Sequence, residues 1–152
     1  MYLVDPSFSS DSLYQIIYHP ATGLCLESTT NNINLGSCSG IGSRWSYNGE
    51  EGPIGLLGTS ACIGLQGDSL APVLTYNCSV PDNTLWSVVS TSNLQIAATS
   101  SEDGSGKLLC LDGSAKPVVL TKDCICVTEN DCSTGDYPED QWFKVITTNR
   151  KV

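Results

Sequence analysis

A cysteine set in an apolar run, a second cysteine 13 to 16 residues later, and then a tryptophan occur in that order three times in 152 residues. Cys25, Cys38 and Trp45 make the first unit, Cys62, Cys78 and Trp86 the second, and Cys110, Cys124 and Trp142 the third. Self-similarity at this scale marks a chain built from repeated supersecondary units. The third unit is stretched by CICVTENDCSTGDYPED, which adds Cys126 and Cys132. The repeat therefore assigns all eight cysteines, pairing Cys25 with Cys38, Cys62 with Cys78, Cys110 with Cys124 and Cys126 with Cys132. Each short loop closed in this way restricts the unfolded chain and contributes on the order of 2 to 4 kcal/mol.

Between the cysteines lie the runs LYQIIY, NINLG, IGLLG, PVLTY, WSVVS, LQIAA, PVVLT and WFKVI. They are rich in β-branched and aromatic residues and are punctuated by Gly, Pro, Asn, Asp and Ser, the pattern of short strands between turns. No stretch holds a 3.6-residue apolar period over about ten residues. An all-β fold of about twelve short strands follows, as a single domain over 1–152 with repeats near 14–48, 49–90 and 91–147.

This layout resembles the ricin B-type lectin family, a β-trefoil of three units that each carry a Gln-x-Trp signature. The resemblance spans roughly residues 14–147. The three tryptophan units read SRW, TLW and DQW, with Ser43, Thr84 and Asp140 where the family has Gln. The resemblance implies that Trp45, Trp86 and Trp142 pack in a common core, which one large aromatic per repeat also suits physically.

Recognition of a sugar needs a ring face for its C–H surface and a planar polar group for adjacent hydroxyls. The resemblance places the acid two residues after the first Cys, the ring two before the second, and an Asn three before the Trp. The first repeat then offers Glu27, Gly36 and Gly42 and reads as a lost site. The second offers Gly64, Tyr76 and Asn83, with Asp68 nearby as a displaced acid. The third offers Asp112, Lys122 and Glu139, with Tyr137 in the extra loop as a ring over the same place. Asp112 in LDGS equally suits a turn residue that bonds its own backbone, and Tyr76 equally suits a half-buried strand residue.

The formal net charge of −9 with seven basic residues disfavours nucleic acid and anionic membranes as partners. Six acids and no base lie between Asp123 and Asp140, but without EF-hand spacing they read as a solvated lobe, and no metal is expected. No cysteine remains as a nucleophile, and the lone His19 sits in a turn. The adjacent pairs Glu50–Glu51 and Glu139–Asp140 point to opposite faces if extended, which does not suit a glycosidase pair. The expectation is a protein without enzymatic activity or cofactor.

Eight paired cysteines suit an oxidising, extracellular compartment. The N-terminal MYLVDPSFSSDS lacks the basic and apolar regions of a signal peptide, so Met1 is read as a start placed before a mature or excised segment, with a cytosolic protein as the alternative. Membrane insertion is not expected, because no run nears the 18 to 20 or so apolar residues that a spanning helix needs. One glycosylation sequence, Asn77-Cys78-Ser79, is present; in a eukaryotic secretory route its glycan would crowd Tyr76 and favour the third repeat. The function these features imply is a carbohydrate-binding, lectin-like module for galactose-type sugars with degenerate sites, its partner a glycan and further a protein subunit or a second copy. The alternative is a non-sugar-binding extracellular interaction or structural module, or a protease inhibitor, on the same scaffold.

Overall fold

The computed structural model describes residues 13–66, 71–79, 84–90, 92–99, 108–133, 135 and 137–149. Twelve strands lie among them: β1 (Leu13–His19), β2 (Leu24–Thr29), β3 (Asn32–Gly36), β4 (Trp45–Ser46), β5 (Gly55–Leu56), β6 (Cys62–Gln66), β7 (Ala71–Thr75), β8 (Ser87–Val89), β9 (Gln95–Thr99), β10 (Leu108–Asp112), β11 (Leu120–Asp123) and β12 (Lys144–Asn149). Three single-turn 3-10 segments, 41–43, 129–131 and 138–141, interrupt them. The fold is all-β, as the turn punctuation and short apolar runs require.

All four expected bridges are present. Each of the first three ties one strand of a hairpin to the segment that follows the hairpin's second strand. These hairpins, β2–β3, β6–β7 and β10–β11, are antiparallel and carry the first cysteine of each repeat. They meet one another: Asn32 pairs with Val73, Asn34 bridges to Val118, and β11 lies against β7. Eight strands run in the order β12-β1-β2-β3-β7-β6-β5-β4, and Gln15 opposite Trp45 joins β4 back to β1. That closure satisfies backbone groups that an open edge would leave unpaired. The other four strands run β11-β10-β9-β8.

The core repeats in threes because the sequence does. Leu26, Ile63 and Leu111, each following the first cysteine of its repeat, are completely buried, as are Ile17, Ile54 and Ile96. Trp45 and Trp86 are also completely buried, and their indole N–H groups donate at 2.9 Å to the carbonyls of Leu26 and Ile63. A buried indole needs such an acceptor, because an unmet donor in the core is costly.

The third repeat corrects one expectation. Phe143, not Trp142, fills the aromatic core position; Phe143 is completely buried and Trp142 only half-buried. The reason is a register one residue later than the tryptophans suggest. Ser43, Thr84 and Gln141 are the buried polar residues two before the core aromatic. Each donates to a carbonyl at or just before the second cysteine of its repeat: Ser37, Cys78 and Asp123. The third unit is thus Gln141-Trp142-Phe143, with Gln141 and not Asp140 in the place of Ser43 and Thr84. Removing a buried aromatic costs about 3 to 5 kcal/mol. Phe143→Ala is expected to lose that much in chemical denaturation while Trp142→Ala loses far less, and the reverse order would restore the tryptophan register.

Tyr47 is buried in the same core, and its hydroxyl has no hydrogen-bond partner among the described residues. Burial pushes its pKa up to about 12. The folded state therefore holds this proton more tightly than the unfolded chain, so the associated stability is complete below about pH 10 and is lost as pH rises towards 12, at about 1.4 kcal/mol per pH unit. Tyr47→Phe should flatten that alkaline slope and leave stability at neutral pH unchanged or higher, measured by denaturant titration across the range.

Candidate functional site

The hairpin β10–β11 and the 138–141 turn build an open depression in the third repeat, with a volume of about 620 Å³. Asp112 ends β10, where the chain must reverse into β11. Its Oδ1 accepts the Ser114 backbone N–H at 2.8 Å, an Asx turn that closes the reversal. Its Oδ2 accepts the Gln141 side-chain amide at 3.2 Å. Lys122 Nζ lies 4.0 Å from Oδ1 and donates to Ser114 Oγ at 2.8 Å. Asp112 is thereby fixed and only 4% exposed, a structural turn residue that also borders the depression.

Gln141 holds this arrangement from below. Its amide also donates to Asp123 O at 2.9 Å, and its Oε1 accepts from Gln95 Nε2 at 2.9 Å and from the Ile125 N–H at 3.1 Å. All four of its hydrogen-bonding positions are met, as a buried amide requires. The Asp140 carbonyl accepts the Gly113 N–H at 2.8 Å and His19 Nε2 at 2.9 Å. His19 is completely buried against Phe143, with ring centroids 4.7 Å apart. A Cβ at Gly113 would fall 2.8 Å from the His19 ring, so only glycine lets the turn approach so closely. His19 is a structural link between the start and end of the chain.

Of the residues that the sequence singles out, Asp112, Lys122 and Tyr137 line the one depression, and Tyr137 is 70% exposed. Asp140, rather than Glu139, lies three before the core aromatic and lines it too, as does Asp123. Tyr76 is 72% exposed at the end of the second hairpin, not half-buried. Asp68 and Asn83 lie outside the described residues. In the first repeat the Glu27 carboxylate folds onto Gly36 and sits 3.1 Å from where a Cβ of Gly40 would be, so the place is filled by its own side chain. Gln141, Gln95 and the Asp140 carbonyl are the parts that sequence reasoning missed. The one available signal was a Gln two before an aromatic in DQWF.

The described carboxylates, cysteines and histidine form no group of three arranged to hold a metal ion. No described helix is long and apolar enough to cross a membrane, and four disulfides are consistent with an extracellular setting.

No family model matches the chain. It is 50% identical over 151 residues, 97% of its own length, to a glycosyl hydrolase 5 family protein of Chamaecyparis obtusa. The chain spans 27% of that relative's length. This relationship overturns two expectations: a lectin-like or merely structural module, and a protein with no place in enzymatic chemistry. What the relative's name gives instead is a glycosyl hydrolase family. Asp112, Asp123 and Asp140, distant from one another along the chain, come from three separate segments to border one depression.

Asp112→Ala removes the Asx turn and strips an acceptor from the buried Gln141 amide. An unmet buried polar group costs about 1 to 3 kcal/mol, so the melting temperature should fall by several degrees in calorimetry. An unchanged melting temperature would show that the turn does not depend on this carboxylate.

Proposed function

We propose that this chain takes part in glycoside hydrolysis, as a disulfide-braced β-trefoil domain whose Asp112 depression meets the glycan substrate. The observation that carries this reading is the 50% identity, across nearly the whole chain, to a protein named for glycosyl hydrolase family 5. The trefoil architecture is supported by the three mutually touching hairpins, the cysteines that recur in each, and the resemblance to the ricin B-type units. An extracellular site of action is supported by the four bridges and suits a polymeric substrate.

The chemistry of the depression agrees with such a substrate. Glycoside hydrolysis needs carboxylates around the scissile bond to carry protons and stabilise positive charge. Asp112, Asp123 and Asp140 are among the residues that border the depression, and Tyr137 adds an exposed ring. Asp112 has one donor on each oxygen, which leaves acceptor capacity for a substrate hydroxyl. Its role is that of a fixed acceptor, because both oxygens already face donors.

Reducing ends released from a panel of polysaccharides by the polypeptide that carries this sequence provide the test. Loss of a hydrogen bond to a charged group is worth about 1.5 to 3 kcal/mol, so kcat/KM should drop about ten- to a hundredfold in Asp112→Asn. Asp140→Asn should fall comparably. Folding of both variants is checked by circular dichroism. Release at the parental rate by two folded variants removes the depression from the reaction, and release from no polysaccharide overturns the glycosidase reading itself.

A further inference from the structure

The second repeat holds a depression in the place that Asp112 borders in the third, and no acid lines it among the described residues. Gly64 stands at the acid position, and the polar Gln66, Thr75, Asn77 and Thr84 line the depression together with the apolar Leu65, Val73 and Leu74. Asn77 belongs to the chain's one Asn-x-Ser/Thr sequence, and its side chain forms the rim. Asn77 and Ser79 are both exposed, and neither side chain makes a hydrogen bond among the described residues. The backbone N–H of Asn77 donates to Thr75 Oγ1 at 3.1 Å, which turns the chain outward at the end of β7. Immediately before it, Tyr76 presents a ring that is 72% exposed.

We propose that Asn77 is an N-glycosylation site and that its glycan lies over the second depression, with the C–H face of the first sugar against Tyr76. In the transfer, the Asn77 amide nitrogen bonds to the anomeric carbon of a lipid-diphosphate-linked oligosaccharide. The bond from that carbon to the diphosphate oxygen breaks, the lipid diphosphate leaves, and the amide gives up one proton. The Ser79 hydroxyl completes the acceptor sequence, and its exposure keeps it accessible. Two features favour the seating. A sugar's C–H face covers an aromatic ring that is otherwise left in water, and the polar side chains of Gln66 and Thr75 in the lining can meet its hydroxyls. The second depression is then occupied by the chain's own modification, which leaves the third repeat as the open one. This inference is independent of the glycosidase reading and needs only passage through a secretory route.

The experiment expresses the full chain in a eukaryotic secretory host and measures intact mass before and after treatment with an amidase that cleaves N-glycans. The untreated protein should carry one oligosaccharide, and its removal should convert Asn77 to aspartate. Asn77→Gln and Ser79→Ala should both yield the bare mass, while Ser79→Thr keeps the glycan. Two variants guard against one failing to fold. A bare mass for the parent, when a control glycoprotein from the same cells is modified, overturns the site. Seating is read separately by hydrogen–deuterium exchange: residues 64–66 and 73–75 should exchange severalfold more slowly with the glycan than after its removal. Tyr76→Ala should abolish that protection without loss of the glycan. Equal exchange in the two forms overturns the seating.

Discussion

The third repeat depends on one buried amide. Gln141 bonds Asp112, Asp123, Gln95 and Ile125, and so ties the ends of β10 and β11 to β9 and to the segment leading into the extra loop. In a low-dielectric interior a fully satisfied network of this kind fixes one arrangement, while a partly satisfied one is costly. Ser43 and Thr84 occupy the same place in the other repeats with shorter side chains, and each reaches a nearby carbonyl. Only the long Gln spans from that place to the acid at the strand end. Gln141 is what fixes Asp112 at the border of the third depression.

Much of the scaffold was legible because it is written in short-range spacing. Four bridges closing loops of 6 to 16 residues leave few alternatives, and short β-branched runs between turn residues read as strands. The strands that carry the first cysteines, β2, β6 and β10, were visible only as anchors, since their apolar runs are broken two residues after the cysteine, by Glu27, Gly64 and Asp112. The third repeat's register was misread because two aromatics stand side by side. What decides between Trp142 and Phe143 is the burial of Gln141, and its partners Gln95 and Ile125 are distant in sequence. Spacing within one repeat carries no trace of them.

The acids show the same limit from another side. Along the chain, Asp112, Asp123 and Asp140 look like a turn residue and two members of an acidic lobe. In the fold all three border one depression, although the antiparallel register sets Asp123 opposite Leu109, three residues along β10 from Asp112. Adjacency in sequence carries no trace of such a shared border.

Glu27 and Asp112 occupy one repeat position with opposite outcomes, and their neighbours explain why. Beside Glu27 stand Gly36, Gly40 and Gly42, whose missing side chains leave room that the longer glutamate fills with its own carboxylate. Beside Asp112 stand Ser114, Lys122 and Gln141, which supply donors and hold the shorter aspartate at the strand end. A carboxylate without donors moves into available space, and one with donors on both oxygens stays where they point. Whether an acid closes its depression or borders an open one is therefore decided by the residues facing it, not by its place in the repeat.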